Sequence, residues 1–354
     1  MHFILDQLSD IDLTAEVLSL LRQIPSGRVT TYGDLARALG DDRTSSARWL
    51  GEFLGNSRTP HEGDGAAIWQ AHLHLDGCPC YRVVRSNGEI GLHCSGDPLV
   101  KAKLLRNEGV TVSESGRVDL ALKFDEFAGS RPLERLKQLQ LSLARDCREE
   151  PLRETVRTIA AADVAYRADG IACGAYGVFD AESLELLYET TLFRPAPFPY
   201  IPGYLTWREL PVILELCEIA RQAGQLGDVL LCDGNGRLHP WRAGIAVCLG
   251  VSLNHPVIGV GKSLLCGSVD RDRIQPDAPQ PVVHEDEVIG QAMIRKLTSK
   301  REKTAKPIYV SVGHRITLSE ATAIVEHCFR SHRIPEPIFQ VDAHTKRLRE
   351  SEDQ

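Results

Sequence analysis

The sequence predicts two domains, the first mainly α-helical and the second an α/β domain with a mixed sheet. Its 354 residues, of which 43% are hydrophobic, are enough for about two domains of ordinary size. In the first third, apolar residues recur at helical spacing over residues 15–21 and 49–54. Farther along, three strand-like runs with short connections precede alternating helical and strand-like segments. We therefore predict a first domain at 10–118, a linker at 119–130 and a second domain at 131–354.

The first domain is predicted to contain helix, loop and helix in succession. The pattern indicates a helix at 15–21, a loop with a short strand at 24–33, a second helix from 34 and a third at 45–55. Ser45 supplies an N-cap for the third helix, and Gly51 and Gly55 lie on one face of it. Such a face suits close approach to a nucleic-acid backbone, and it equally suits tight packing against another helix.

Charge and cysteine content limit the classes of protein that the chain can belong to. The formal net charge is −7, so a nucleic-acid-binding surface would have to come from local basic groups, which are also compatible with ordinary solvated surface. Two such groups are Arg22, Arg28, Arg37, Arg43, Arg48 and Arg58, and Arg295, Lys296, Lys300, Arg301, Lys303 and Lys306. Ten scattered cysteines predict reduced thiols in a cytoplasmic protein. No apolar run approaches the roughly 20 residues of a membrane span.

Three motifs occur in order along the first domain. They are Ile24-Pro25-x-Gly27-x-Val29-x-Thr31-Tyr32-Gly33-x-Leu35-Ala36, Pro79-Cys80-Tyr81-Arg82-Val83-Val84-x-Ser86-x-Gly88-x-Ile90-Gly91 and Lys101-x-Lys103-Leu104-Leu105-x-x-Glu108-Gly109-Val110. Together they resemble the DNA-binding domain of O6-alkylguanine-DNA alkyltransferases. The resemblance implies a winged helix-turn-helix that binds the minor groove and flips a base into a pocket. It implies that Tyr32 contacts the phosphate of the flipped nucleotide, Arg48 fills the gap in the base stack and Asn56 braces the active-site turn.

Cys80 matches the alkyl-accepting thiol of that family, but its neighbour differs. Tyr81 stands where the family has a His, while Glu108 matches the Glu that acts with that His. A thiol with an ordinary pKa of about 8.5 is only a few per cent thiolate at neutral pH. We therefore predict a lesion-binding, alkyltransferase-like domain, with alkyl transfer to Cys80 from O6-alkylguanine as the alternative. A zinc site is a further alternative, although Cys-x-Cys is not the usual spacing; its members would be His72, His74, Cys78, Cys80, His93 and Cys94.

The second domain is predicted to start with amphipathic helix at 132–157 and three strands. The strand-like runs span 158–166, 171–179 and 185–192, with hairpin-type connections between them. A helix at 207–223, a strand at 229–231, a helix near 243–249 and a strand at 256–260 follow. Three antiparallel strands before alternating α and β segments are the order of a ribonuclease H-like domain.

Three acidic residues of this domain occupy positions typical of a metal site. Asp163 lies inside an apolar strand, where a carboxylate is unfavourable unless it is paired or metal-bound. Glu209 lies at the start of the next helix, and Asp233 ends a buried strand before a Gly-x-Gly turn. The alternatives are a salt bridge for Asp163, for which Lys262 is available, and an Asx-turn at Asp233. Hard carboxylate oxygens favour Mg²⁺, for which Mn²⁺ can substitute.

Four further motifs resemble endonuclease V. They are Phe198-Pro-Tyr200-Ile-Pro-Gly203-x-Leu205-x-x-Arg208-Glu209, Asp233-Gly-x-Gly236-x-x-His239-Pro240, Ile258-Gly259-Val-x-Lys262-Ser263 and Val312-Gly313-His314-Arg315. The resemblance implies incision at the second phosphodiester on the 3' side of deoxyinosine. It implies a catalytic set of three metal-binding acids, a lysine at the scissile phosphate and two histidines, namely Asp163, Glu209, Asp233, Lys262, His239 and His314. It also implies a wedge that opens the duplex, formed by Pro199, Tyr200, Ile201 and Pro202. Three positions depart from the family: Trp241, Ala243 and Cys248 replace its usual Arg, Phe and His.

The sequence therefore predicts a DNA repair endonuclease coupled to a lesion-binding domain. Its expected partner is damaged double-stranded DNA that contains deoxyinosine, with O6-alkylguanine DNA and inosine-containing RNA as further candidate substrates. One alternative is a bifunctional protein in which Cys80 also accepts alkyl groups. The other is a binding-only repair scaffold with an inactive nuclease, which the presence of all three acids disfavours.

Overall fold

In the computed structural model, which describes residues 7–8, 10–55, 78–91, 97–276, 278–295 and 306–351, the first domain is mainly helical. Its helices are α1 (Leu13–Gln23), α2 (Tyr32–Ala38), α3 (Ser46–Gly55) and α4 (Pro98–Asn107). Strands β1 (Thr30–Thr31) and β2 (Val83–Val84) form a parallel pair. The predicted helices of this domain are confirmed, whereas the wing of the predicted winged helix-turn-helix stays a prediction.

The start of α3 differs in detail from the prediction. The amide of Ser46, its first residue, donates to the carboxylate of Asp41 at 2.7 Å, and the hydroxyl of Ser45 donates to the same oxygen at 2.9 Å. An aspartate outside the helix thus satisfies a helix-terminal amide, the task that we predicted for Ser45.

The segment that we predicted as a linker is bound to the first domain. The side-chain amide of Gln23 donates to the carbonyl of Ala128 at 2.7 Å and accepts from its amide at 2.8 Å. The carboxylate of Glu16 accepts from the amide of Ser130 at 2.7 Å. Residues 128–130 therefore lie against α1 before the chain enters the second domain.

An eight-stranded mixed sheet forms the centre of the second domain. Its strands are β3 (Thr158–Tyr166), β4 (Ile171–Asp180), β5 (Leu186–Pro195), β6 (Val229–Asp233), β7 (Val257–Gly261), β8 (Gln280–His284), β9 (Glu287–Met293) and β10 (Ile308–His314), in the order β5-β4-β3-β6-β7-β10-β9-β8. The first three are antiparallel, as predicted, and β6 and β7 continue in parallel from β3. The sequence did not predict the antiparallel pair β8 and β9.

Helices cover both faces of this sheet. They are α5 (Pro132–Asp146), α6 (Leu205–Gln222), α7 (Ile245–Leu253), α8 (Leu318–His327) and α9 (Glu336–Glu350). On β3, Ala160 and Ala162 join the hydrophobic cluster of α6 and α7, whereas Ile159 and Ala161 join that of α8 and α9. Because successive side chains of a strand point to opposite faces, this alternation assigns the two helix pairs to opposite sides. Among the described helices, none has both the length and the apolar character needed to cross a membrane.

The two domains share one hydrophobic core. Buried residues of the first domain, such as Leu35 and Leu50, belong to the same cluster as Leu133 of α5 and Trp207 of α6. The amide of Leu133 also donates to the carbonyl of Leu39 at 2.9 Å. Helix α5 therefore joins the first domain to the helical layer over the sheet, which fixes the first domain beside one end of β6.

Candidate active site

Three carboxylates meet at the carboxyl ends of the neighbouring central strands β3 and β6. Asp163 lies on β3 and Asp233 ends β6, and the parallel pairing of Ala162 with Cys232 places these next residues beside each other. Asp342 reaches them from α9, and the carboxylate oxygens of the three residues lie within 4.8 Å of one another. The predicted convergence of Asp163 and Asp233 is therefore present, and Asp342 joins it.

Hydrogen bonds hold these carboxylates in place. The buried hydroxyl of Thr345 on α9 donates to Asp163 at 2.6 Å. The ammonium of Lys262, just beyond β7, lies 2.5 Å from Asp233 and 3.4 Å from Asp342. The salt bridge with Lys262 that was the alternative for Asp163 is instead formed by Asp233 and Asp342, and Asp163 has a hydroxyl partner.

Glu209 completes the acidic surroundings from the first turns of α6. Burial, followed by the negative charges of Asp163 and Asp233, raises the pKa of Glu209 to about 8. Burial and the charge of Asp233 likewise raise the pKa of Asp163 to about 6. Among the described residues, Glu209 lies outside the group of carboxylates that are within 4.8 Å of one another.

The donor set fits a hard divalent cation. Three carboxylates offer oxygen ligands within reach of one ion, and their mutual repulsion is what a doubly charged cation would relieve. Asp163, Asp233 and Asp342 could hold such an ion, with Glu209 nearby.

A cavity of about 690 Å³ opens beside this cluster, and Glu209 and Asp233 are part of its wall. Tyr200 stands on its rim with 55% of its surface exposed, although the adjoining Ile201 is fully buried. Pro199 is buried and Pro202 is exposed along the same turn. The four predicted wedge residues therefore form an anchored turn that presents an aromatic ring at the mouth of the cavity.

His239 lines the same cavity and is neutral at physiological pH. Burial, and then the positive charge of Arg43, lower its pKa to about 4. Its Nδ1 accepts from the amide of Trp241 at 3.2 Å, and the two rings are 5.5 Å apart in an edge-to-face arrangement. The imidazole is thus held in a fixed orientation beside the acidic edge.

The structure does not bring His314 to the carboxylates. His314 ends β10 opposite Val257, the first residue of β7, and its Nδ1 accepts from the amide of Arg148 at 3.2 Å. Lys262 follows the other end of β7, and five residues of strand correspond to roughly 16 Å. Because β10 is antiparallel to β7, its carboxyl end lies at the opposite edge of the sheet, where the sequence prediction did not place it.

The first domain contains a second polar centre around Glu108. Its carboxylate accepts from the hydroxyl of Tyr81 at 2.6 Å, from the guanidinium of Arg82 at 2.9 Å and from the amide of Gly27 at 3.3 Å. The hydrogen bond from Arg82 is the largest influence and lowers the pKa of Glu108 to about 2. Cys80, the residue before Tyr81, is buried at the start of a single 3-10 turn.

The remaining predicted DNA contacts have different surroundings. Tyr32 is half-buried, and burial followed by the nearby Cys80 raises its pKa, which places the phenol close to that thiol. Arg48 is exposed on α3 and lies 2.9 Å from Glu52. Asn56 lies outside the described residues, as do four members of the alternative zinc site, which are His72, His74, His93 and Cys94.

Sequence reasoning missed Asp342 and Thr345. Both lie on α9, three residues apart, and so point from one face of the helix toward the sheet. The buried Ile338 and Val341 show that this face is otherwise apolar. A polar pair within an apolar helical face was the available signal, although nothing in the sequence connects it with acids more than a hundred positions away.

Fold and site together define a mixed α/β domain with a cluster of carboxylates that could hold a divalent cation, joined to a helical domain. Two family models match the chain: "6-O-methylguanine DNA methyltransferase, DNA binding domain" over residues 12–110 and "Endonuclease V" over residues 141–343. The chain belongs to the endonuclease V family, whose members are metal-dependent nucleases, and carries the alkyltransferase type of DNA-binding domain in front of it. Both resemblances seen in the sequence are thereby confirmed.

Individual relatives support the same assignment. A bifunctional methyltransferase/endonuclease of Picrophilus torridus is 37% identical over 269 residues, which cover 74% of this chain and 78% of the relative. The crystal structure of human ENDOV has a TM-score of 0.56 and 28% identity, and the match covers 63% of this chain and 100% of that one. Ciona intestinalis endonuclease V, in complex with a DNA containing an inosine followed by a ribo-adenosine, shares the fold: its TM-score is 0.54 at 24% identity, and the match covers 63% of this chain and 99% of that one.

Proposed function

We propose that this protein is a cytoplasmic DNA repair endonuclease that cuts the second phosphodiester on the 3' side of deoxyinosine in double-stranded DNA. The observation that carries the proposal is the meeting of Asp163, Asp233 and Asp342 within 4.8 Å beside a cavity. We propose Mg²⁺ as the metal ion of these residues, with Mn²⁺ as a substitute, because carboxylate oxygens are their preferred ligands. The deoxyinosine substrate follows from family membership and from the inosine DNA in the Ciona intestinalis complex.

Hydrolysis of a phosphodiester needs an activated water and a stabilised leaving oxygen. Bound Mg²⁺ lowers the pKa of water and offsets negative charge on the phosphate. The ammonium of Lys262, 2.5 Å from Asp233, lies at the same edge and adds positive charge that stabilises the transition state. Neutral His239, with its Nδ1 fixed by the amide of Trp241, is able to orient water or hold a proton.

Recognition of the altered base is assigned to the wedge and the cavity. Tyr200 is exposed at the rim, while the buried Ile201 anchors the turn that carries it. Stacking of a base on an exposed aromatic ring contributes about 1–3 kcal/mol, which offsets part of the unstacking that a flipped nucleotide requires. The cavity of about 690 Å³ is large enough for one nucleobase.

An incision assay on a duplex with a single deoxyinosine tests this function. Full-length protein with Mg²⁺ is expected to cut the inosine strand at the second phosphodiester, and Asp233→Asn is expected to abolish the cut. Asp270→Asn, an exposed aspartate of the same domain, is the matched control and should cut normally. A duplex that stays intact with both Mg²⁺ and Mn²⁺ would overturn the proposal. A parallel inosine-containing RNA shows whether RNA is also a substrate.

A second activity, alkyl acceptance by Cys80, is favoured by one observation. The Picrophilus torridus relative is a bifunctional methyltransferase/endonuclease, and its match to this chain extends over 269 residues. In this reaction the Cys80 thiolate attacks the alkyl carbon, the bond from that carbon to guanine O6 breaks, and guanine takes up a proton. Incubation with O6-methylguanine DNA should add one methyl group to the wild type and none to Cys80→Ser. Tight binding without a gain in mass would favour the lesion-binding role instead.

A further inference from the structure

One wall of the nuclease cavity comes from the first domain. The turn between α2 and α3 contributes Gly40, Asp41, Asp42, Arg43 and Ser45 to the lining, which also includes Tyr204, His239 and Trp241 of the second domain. Lys137 of α5 lines the same side. The cavity is therefore built by both domains.

Close backbone contact fixes this turn on the second domain. Gly40 has φ +93°, and a Cβ at that position would lie 2.6 Å from the backbone nitrogen of Glu134. The carbonyl of Leu39 accepts from the amide of Leu133 at 2.9 Å, and Asp42 lies 3.4 Å from Lys137. Only glycine fits at residue 40, since any side chain there would separate the turn from α5.

The far end of the turn is equally constrained. Asp41 is buried, and its carboxylate accepts from the hydroxyl of Ser45 and the amide of Ser46 at the start of α3. Arg43, between these fixed points, is exposed. The backbone thus holds the base of the Arg43 side chain still while its guanidinium faces the cavity.

The guanidinium of Arg43 lies over the nuclease aromatic residues. Its central carbon is 5.8 Å from the centroid of the Trp241 ring, within the range of a cation–π contact. Its charge also contributes to the lowered pKa of His239. Among the described residues, no carboxylate lies within ion-pair distance of Arg43, whereas Lys137, the other cation of the wall, is engaged by Asp42 and Glu134.

The charge of the cavity explains what Arg43 would bind. Four lining residues are acidic, namely Asp41, Asp42, Glu209 and Asp233. A DNA strand brings one negative charge per phosphate to this acidic surface, so a cation at its entrance is needed to offset the repulsion. Arginine is suited to this task because its planar guanidinium binds phosphate through two donors while its face stacks on an aromatic ring.

We propose that Arg43 of the first domain is a positioning residue of the nuclease reaction, whose guanidinium binds a phosphate of the DNA strand that enters the cavity. The proposal rests on the nuclease function proposed above and deepens it. The first domain then forms part of the nuclease substrate site, and neither domain alone presents the complete cavity.

The test compares full-length wild type, Arg43→Ala and Arg43→Lys on the inosine duplex. Arg43→Ala is expected to raise KM about tenfold, the value of a single charge-assisted hydrogen bond, with little change in kcat. DNA binding is measured in an Asp233→Asn background, where the duplex stays intact. There, Arg43→Ala should reduce the steepness of log K, the association constant, against log salt concentration by about 0.9. Arg43→Lys keeps the charge and should retain the slope of the wild type. Arg153→Ala, an exposed arginine of the second domain that does not line the cavity, is the matched control and should leave both quantities unchanged.

Each outcome separates the two proposals. If the wild type cuts the duplex and Arg43→Ala has the same KM and salt slope as the wild type, the role of Arg43 is overturned. The nuclease function stays intact in that case. If Arg43→Ala and Arg43→Lys raise KM equally and neither changes the salt slope, the role of Arg43 is purely structural. That result also overturns the proposed phosphate contact. A wild type that never cuts overturns the nuclease function, while the salt slopes still report the phosphate contact. Gly40→Ala, which displaces the turn, should reproduce the effects of Arg43→Ala.

Discussion

The two polar centres of this molecule use the same kind of residue in opposite ways. At the sheet edge, Asp163, Asp233 and Asp342 crowd together, and burial with mutual repulsion raises the pKa of Asp163 to about 6. In the first domain, Glu108 stands alone among donors, and hydrogen bonds lower its pKa to about 2. Crowded acids are unfavourable in the absence of a cation, whereas a satisfied acid stabilises the fold on its own. The difference separates a site prepared for a ligand from a structural network.

The largest effect is expected for Asp342, the carboxylate that the sequence did not identify. Asp342→Asn removes one oxygen donor from the group of three and should lower incision of the inosine duplex by at least about 100-fold, with a higher Mg²⁺ concentration needed for half-maximal rate. Incision rates measured across a Mg²⁺ titration test this expectation. Asp270→Asn is the control, and an Asp342→Asn protein with a normal Mg²⁺ requirement would remove α9 from the metal site.

The crowded centre should also make the metal-free protein sensitive to pH. The pKa of Asp163 is about 6 and that of Glu209 about 8, both above their ordinary values of 3.8 and 4.5. The folded state therefore binds more protons than the unfolded state between about pH 4 and 8, so the free energy of unfolding falls as pH rises through that window. The decrease is on the order of 3 kcal/mol or more, since one pKa unit corresponds to about 1.4 kcal/mol.

Denaturant unfolding in a chelator, at several pH values, measures this decrease. Saturating Mg²⁺ should restore stability, by about 2.7 kcal/mol at a hundred times its dissociation constant. Asp163→Asn should be more stable than the wild type at pH 8 without metal and should differ little at pH 4. A metal-free wild type whose free energy of unfolding is the same at these pH values would contradict the proposed repulsion among the crowded acids.

Much of the fold and half of the site followed from the sequence, for local reasons. The resemblance to endonuclease V implied that Asp163 and Asp233 share a metal site, and the parallel pairing of β3 with β6 brings them together. Asp342 was not, because a helix-borne acid joins a sheet edge only through tertiary packing. His314 was placed at the wrong edge because strand direction, here antiparallel, is not written in the apolar pattern of β10. The contact of Arg43 with Trp241 depends on how two domains pack, which no local pattern encodes.

At the hydrogen-bonded centre around Glu108, the free energy of unfolding depends on pH with the opposite sign. Because the folded pKa of Glu108 is about 2 and its ordinary value is 4.5, its ionised form stabilises the protein above pH 4.5, and this contribution is lost as pH falls toward 2. Glu108→Gln should therefore lower the free energy of unfolding by about 3 kcal/mol at neutral pH and by much less near pH 2. The difference between variant and wild type, measured by denaturant unfolding at each pH, isolates this residue. An equal difference at both pH values would show that charge is not the cause.

The smallest effect concerns Tyr81, whose hydroxyl is one of the donors to Glu108. Tyr81→Phe removes this donor and leaves Arg82 and the amide of Gly27 in place, so unfolding should become easier by about 1–2 kcal/mol, less than for Glu108→Gln. If Tyr81 serves only the network, the rate of methyl gain by Cys80 from O6-methylguanine DNA stays close to that of the wild type. A variant of unchanged stability that has lost methyl gain would mean that the phenol acts on the thiol. Glu108 would then belong to a reactive centre. The two polar centres would no longer differ as a ligand site differs from a structural network.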